Sequence, residues 1–182
     1  MTPDFRVLKR AVRHGPDRLV HPIRHRRAIE RVRNVAPRHV LVMCLGNICR
    51  SPYAEGALAR DAPGVVVRSA GFLDSGRPPP RQAVSAGAEH GINLSGHLSA
   101  QVTHEAVDWA DLVLVMDARQ VARVGAISQH LAYVERLGDF DPGPIDTRTI
   151  IDPIERDRDF FDRIYTRIDA CCRVLGRAIR GG

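Results

Sequence analysis

A short apolar run, His39-Val40-Leu41-Val42-Met43, stops at Cys44-Leu45-Gly46-Asn47 and gives way to a helical pattern opened by Ser51-Pro52. An unbroken apolar run of this length reads as a strand buried on both faces, the kind found in parallel sheets. Ser as N-cap with Pro at the first helical position marks a helix start. A strand, a tight loop and a helix in that order commit the chain to a βα unit, and the alternation continues. Val65-Val66-Val67 and Leu112 to Met116 read as further strands, and Tyr133-Val134 as a fourth. Helices are expected over Arg81–His90, stopped at Gly91, over Leu98–Val107, over Asp117–Val124 and over Asp159–Arg180. The last is amphipathic, with Phe160, Phe161, Ile164, Ile168, Cys171, Cys172 and Leu175 on one stripe. Strands alternating with helices predict an α/β domain on a parallel sheet, whose ligand site lies beyond the carboxyl ends of the strands. Cys44 stands at such an end.

A loop between a strand and a helix N-terminus turns successive backbone N–H groups into one concavity, and nest and helix dipole together attract an oxyanion. Gly46 and Asn47 both visit left-handed backbone conformations, as a nest requires. Arg50 adds a planar fork matched to two phosphate oxygens. Cys44 would feel the same positive field, and Ser51 can donate its hydroxyl to the sulfur, so the thiolate is favoured and can attack phosphorus to give a phosphocysteine. A Cys and an Arg at C-x5-R spacing carry little by themselves. The preceding strand, the Gly-Asn pair and the Ser-Pro start are three separate requirements of an oxyanion cradle. A leaving oxygen must also be protonated, and the long loop from Leu137 to Arg156 offers Asp141-Pro142 and Asp152-Pro153 as near-equal candidates. The other acids of that loop, Asp139, Asp146 and Asp157, read as solvated.

With 182 residues and 44% hydrophobic content, the chain has room for one domain with a full core. No stretch is long and apolar enough for a membrane span, and residues 1–38 lack the apolar core of a secretion signal. The four cysteines, Cys44, Cys49, Cys171 and Cys172, show neither a disulfide framework nor zinc spacing, so no metal is expected and a reducing cytoplasm is the expected compartment. The net charge of +6 is lopsided: residues 1–38 hold 11 Lys or Arg against 3 Asp or Glu, and the rest 16 against 18. The boundary falls near Pro37. Residues 1–38 read as a basic N-terminal extension, solvated or loosely packed, or alternatively an arm for an acidic partner. No aromatic residue follows Phe5 there, which leaves little for base stacking. Residues 39–182 form the expected domain. Trp109 reads as core, and His90 and His104 as surface residues without partners.

The loop Cys44-Leu45-Gly46-Asn47-Ile48-Cys49-Arg50-Ser51-Pro52 resembles the active-site motif of the low-molecular-weight protein tyrosine phosphatases, C-x-G-N-x-C-R-S-P, at every fixed position. The resemblance runs over roughly residues 39–180, through Ser69-Ala70-Gly71, Gly91 to His97, Asp111 to Asp117, Asp141-Pro142, Asp152-Pro153 and Cys171-Cys172-Arg173. It implies a three-layer α/β fold of flavodoxin-like type on a four-stranded parallel sheet. It implies Cys44 as nucleophile, Arg50 as transition-state clamp and Asp152 as general acid and then base, which gives Asp141 a structural turn. Leu45, Gly46, Asn47, Ile48, Cys49 and Ser51 would surround the phosphate, and Asn47, Ser51, Ser69 and His97 would hold the loop's shape. Cofactors and metals are not implied; a phosphorylated protein, phosphotyrosine first, is. The resemblance also supports a reversible Cys44–Cys49 disulfide that shields the nucleophile, against a reading of Cys49 as a small buried hydrophobe.

Two departures bear on the substrate. The aromatic residue usual directly after the Asp-Pro is here Ile154, followed by Glu155, and the loop Phe72–Pro80 is short, with Phe72 its only ring. Selectivity for phosphotyrosine is therefore expected to be weak, and Glu155 is expected to repel acidic peptides. Ile48 matches the tyrosine phosphatases, whereas related arginine phosphatases carry threonine there. Arsenate reduction would use the same cradle, but its thioredoxin-linked versions relay through two more cysteines and residues 51–170 contain none. A phosphate-binding module without catalysis is the third reading, against which nucleophile, clamp and acid positions are all filled.

Overall fold

The computed structural model describes residues 5–128 and 133–181, with side chains from Asp17 onward. Residues 1–4 of the basic segment and Gly182 at the end of the expected domain lie outside it. The elements are α1 (Phe5–Val35), β1 (His39–Cys44), α2 (Arg50–Asp61), β2 (Val66–Gly71), α3 (Arg81–Glu89), α4 (His104–Trp109), β3 (Leu112–Val115), α5 (Ala118–Ile127), β4 (Tyr133–Arg136), a 3-10 turn (Leu137–Phe140) and α6 (Arg158–Ile179). The four strands form one sheet in the order β2-β1-β3-β4, every pair parallel. This is the three-layer α/β fold expected from the alternation.

Side-chain alternation along the central strands divides the core. Val40, Val42 and Cys44 of β1, with Leu112 and Leu114 of β3, join the cluster under α1, α2, α3 and α6. Leu41, Met43, Val113 and Val115 face the opposite layer, built by α4 and α5. Both faces of β1 and β3 are buried, which is why neither strand alternates in polarity. Asp117 caps α5 by accepting from the N–H groups of Arg119 and Gln120 at 2.8 and 3.0 Å, and Asp157 caps α6 by accepting from Phe160 N at 2.8 Å. Gly91, at φ +79°, ends the turn after α3. No helix among the described residues is long and apolar enough to cross a membrane.

Five expectations need correction. A solvated or loosely packed extension does not describe the second half of α1. Ala28 and Val32, four apart, are fully buried in the main core cluster, and α1 packs on α6 and the 3-10 turn. Arg31 forks onto Glu135, whose side chain is 7% exposed, and His21 and His25 donate to the carbonyls of Asp141 and Asp139 at 2.8 and 2.9 Å. The small apolar stripe was outweighed by the arginines around it. The helix expected from Leu98 begins only at His104, capped by Thr103 Oγ1 accepting from Ala106 N. Residues 100–102 instead run beside the end of β2, Gly71 N donating to Ala100 O and Val102 N to Gly71 O, both at 2.8 Å. Asp139 is not solvated: it is 1% exposed and takes a two-pronged bond from Arg148 at 2.6 and 2.5 Å. His90 has a partner, Asp169, at 3.1 Å, and Asp169 also accepts from Tyr53 Oη at 2.8 Å and Arg60 Nη2 at 3.0 Å; His104 likewise pairs with Asp108 at 2.9 Å. Trp109 is half-buried, its ring covered by the Arg68 guanidinium at 4.3 Å.

Candidate active site

The loop after β1 is held by one amide side chain. Asn47, fully buried and at φ +50°, donates through Nδ2 to Ser51 Oγ and Ser69 Oγ, both at 2.9 Å, and accepts from Ala100 N at 2.8 Å through Oδ1. Its carbonyl accepts from His97 Nε2 at 2.7 Å, and the Ser69 hydroxyl donates to Glu55 Oε2 at 2.6 Å. Asn is among the few residues that tolerate the left-handed region. Gly46 does not use it, so of the two residues expected there only Asn47 is found. The end of β2 presses on the same backbone. A Cβ at Gly71 would stand 2.8 Å from Asn47 N and 3.0 Å from the Gly46 carbonyl carbon.

Cys44 sits at the end of β1, 2% exposed, with its sulfur 3.0 Å from Ser51 Oγ and accepting from Asn47 N at 3.3 Å. Ser51 is therefore not the N-cap. Helix α2 starts at Arg50 with Cys49 at the cap position, and the Ser51 hydroxyl turns inward to the sulfur. Asn47 and Ser51 thus stand behind the loop, while Leu45, Gly46, Ile48 and Cys49 line its mouth. Burial pushes the Cys49 thiol well above its ordinary range, with Asp152 and Cys44 adding to the effect, so at neutral pH it is an uncharged S–H. Tyr165 Oη donates to the Cys49 carbonyl at 3.3 Å and fixes the turn from behind.

Arg50 is 4% exposed. Its Nη1 donates to Ile150 O at 3.0 Å and its Nη2 forms an ion pair with Asp152, but its buried Nε has no partner. A buried cation leaves a donor empty only at a cost, and here the group borders a cavity of about 150 Å³ lined by Cys44, Arg50 and Asp152. Asp152 Oδ1 accepts from Ile154 N at 3.2 Å, and its side chain remains 35% exposed. The two loop aspartates are thereby distinguished. Asp141 is bound by Arg167 Nε at 2.7 Å, and the same guanidinium ties down the carbonyls of Thr149 and Thr147 at 2.9 and 2.6 Å. It lines a separate depression.

The mouth departs from expectation in its walls. Phe72 faces away into the second cluster beneath the Arg123 guanidinium, 4.0 Å from its ring. Leu73, Leu45 and Ile154 flank the opening instead, at 39, 40 and 40% exposure. Arg77 completes the rim, and neither it nor Leu73 stood out in the sequence, because no spacing ties the loop 72–80 to Cys44.

Comparison with known proteins places this geometry. The family model described as low molecular weight phosphotyrosine protein phosphatase matches residues 39–181. A probable low molecular weight protein-tyrosine-phosphatase EpsP from Ralstonia nicotianae is 40% identical over 130 residues, 71% of this chain and 87% of that protein. The tyrosine phosphatase Wzb from Escherichia coli K30, solved in complex with sulphate, superposes with a TM-score of 0.71 at 26% identity, covering 80% of this chain and 99% of the other. The YwlE arginine phosphatase from Geobacillus stearothermophilus gives a TM-score of 0.71 at 28% identity, covering 80% and 94%.

Proposed function

The chain belongs to the low molecular weight phosphotyrosine protein phosphatase family, and from that we propose that it hydrolyses phosphate monoesters on proteins, phosphotyrosine foremost, through a phosphocysteine on Cys44. The Cys44 thiolate attacks phosphorus and the P–O bond to the tyrosine oxygen breaks. Asp152, protonated for this step, gives its proton to the departing oxygen. Asp152, now a carboxylate, takes a proton from water as that water attacks the phosphocysteine; inorganic phosphate leaves and the thiolate returns. Arg50 meets the equatorial oxygens of the transferring group through its planar fork. Ser51, 3.0 Å from the sulfur, stabilises it as nucleophile and as leaving group.

The observation that carries this reading is the buried Arg50 guanidinium, with an unmet Nε donor, beside the Cys44 sulfur and opposite Asp152 in one cavity. The domain responsible is residues 39–181, with α1 as an added brace. A catalytic free thiolate suits a reducing compartment, the cytoplasm. Because a structural neighbour is an arginine phosphatase, phosphotyrosine, phosphoserine and phosphoarginine peptides belong in one panel, and Ile48 favours the first. The decisive assay is metal-free release of phosphate from an aryl phosphate by the wild type and by Cys44→Ser, where a loss of at least ~10³-fold is expected. Thiol-dependent conversion of arsenate to arsenite would move the assignment to a reductase. Phosphate binding with neither reaction would leave a binding module.

A further inference from the structure

We propose that Arg77 selects phosphotyrosines that have an acidic residue beside them, so that the substrate class is an acid-flanked phosphotyrosyl segment; this rests on the phosphatase reading of the same site. The two guanidiniums at the cavity are differently employed. Arg50 is buried and committed to Asp152 and the Ile150 carbonyl. Arg77 is exposed on the rim, and its guanidinium has neither an ion pair nor a side-chain hydrogen bond among the described residues. The backbone that carries it is nonetheless fixed. Arg77 N donates to Ser99 Oγ at 3.0 Å, Ser99 N donates back to Arg77 O at 2.9 Å, and Gly76 N donates to Ser99 O at 2.8 Å. Ser99 itself is 3% exposed and holds the Asp74 carbonyl at 3.0 Å. Arg77 Nη1 consequently stands over the phosphate loop, 3.5 Å from where a methyl on Gly46 would be.

The neighbouring walls explain why a charge would be selective here. Leu45, Leu73 and Ile154 give an aryl ring apolar contact but no aromatic face to stack on. Orientation of the bound segment therefore falls to the cation that this fixed backbone carries to the rim. A planar fork without a partner is matched to a carboxylate, and a carboxylate one or two residues from the phosphotyrosine is within its reach. Asp74 precedes Arg77 on the same loop and Glu155, next in sequence to the rim residue Ile154, is exposed, yet neither forms an ion pair with Arg77. Glu155 repels an acid approaching from its side, so the two walls give the mouth a polarity.

The test is kcat/KM for four phosphotyrosyl peptides that differ only in flanking residues: acidic before, acidic after, alanine, lysine. One acidic series should exceed the alanine peptide about fivefold, chiefly through KM, and the margin should shrink with added salt. Arg77→Gln should bring that ratio to about one, and Arg77→Glu should put the lysine peptide ahead. A ratio in Arg77→Glu equal to that of the wild type, or four equal rates in the wild type, overturns the assignment of Arg77 and leaves the phosphatase reading standing. Failure of the wild type to hydrolyse any of the peptides or an aryl phosphate overturns both.

Discussion

Asp152 pairs with Arg50, and that pairing has a consequence for its replacement. In the resting protein the carboxylate holds one arm of the guanidinium that receives the phosphate in the proposed reaction. Asp152→Ala should lower kcat on aryl phosphates by roughly 10²–10⁴-fold, most for poorly leaving phenols, because the proton donor is gone. The same variant should bind inorganic phosphate more tightly, since the anion no longer competes with a resident one; inhibition constants measured beside kcat check both directions. This residue also marks how far the sequence could be read. That Cys44 and Arg50 line one cavity was legible from local context alone, because strand, Gly-Asn turn and helix start lie within one stretch. The choice between Asp141 and Asp152 was not, because it depends on Arg167, a residue of α6, tying down one of them. Arg77 was illegible for the same reason.

At the scale of elements, the site is two βα units pressed together. β1 delivers Cys44, and the end of β2 seals the loop through the bare backbone of Gly71. Gly71→Ala should push the Asn47–Gly46 backbone outward, since the obstructing atoms are main chain. A stability loss of about 1–3 kcal/mol is expected by denaturant unfolding, with a fall in turnover of roughly tenfold or more. The four strands came through from their apolar runs, and the sheet is the one expected; among the helices, α1 was not read and the start of α4 was misplaced. The segment after Leu98 misled because its apolar residues have helical spacing while its backbone is claimed by a long-range partner: Ala100 N is bound to the Asn47 side chain. Spacing cannot show such a competitor.

For the whole molecule, α1 changes the account most. Val32 is 1% exposed in the same cluster as the apolar stripe of α6. Val32→Ala should cost about 2 kcal/mol, or roughly 4–8 °C in melting midpoint, and a loosely packed extension would show no shift. Arginine density hid this stripe from the sequence reading, since charge averages over a helix whose two faces differ. The core also fixes an alkaline limit. Burial raises the thiols of Cys49, Cys171 and Cys172 above their ordinary values, so the folded chain keeps protons that the unfolded chain releases. Stability is then complete below about pH 8.5 and falls above it, by about 1.4 kcal/mol per pH unit for each thiol; melting curves across that range, with Cys171→Ala as comparison, read the slope. Finally, α1 lies early in the chain while its partners, Glu135 of β4, the 3-10 turn and α6, lie past residue 134, as Arg31–Glu135 and His21–Asp141 already indicate. On a ribosome the helix must therefore wait, its Ala28 and Val32 unsheltered, until α6 has been synthesised, which makes an interrupted chain a ready client for chaperones or proteases.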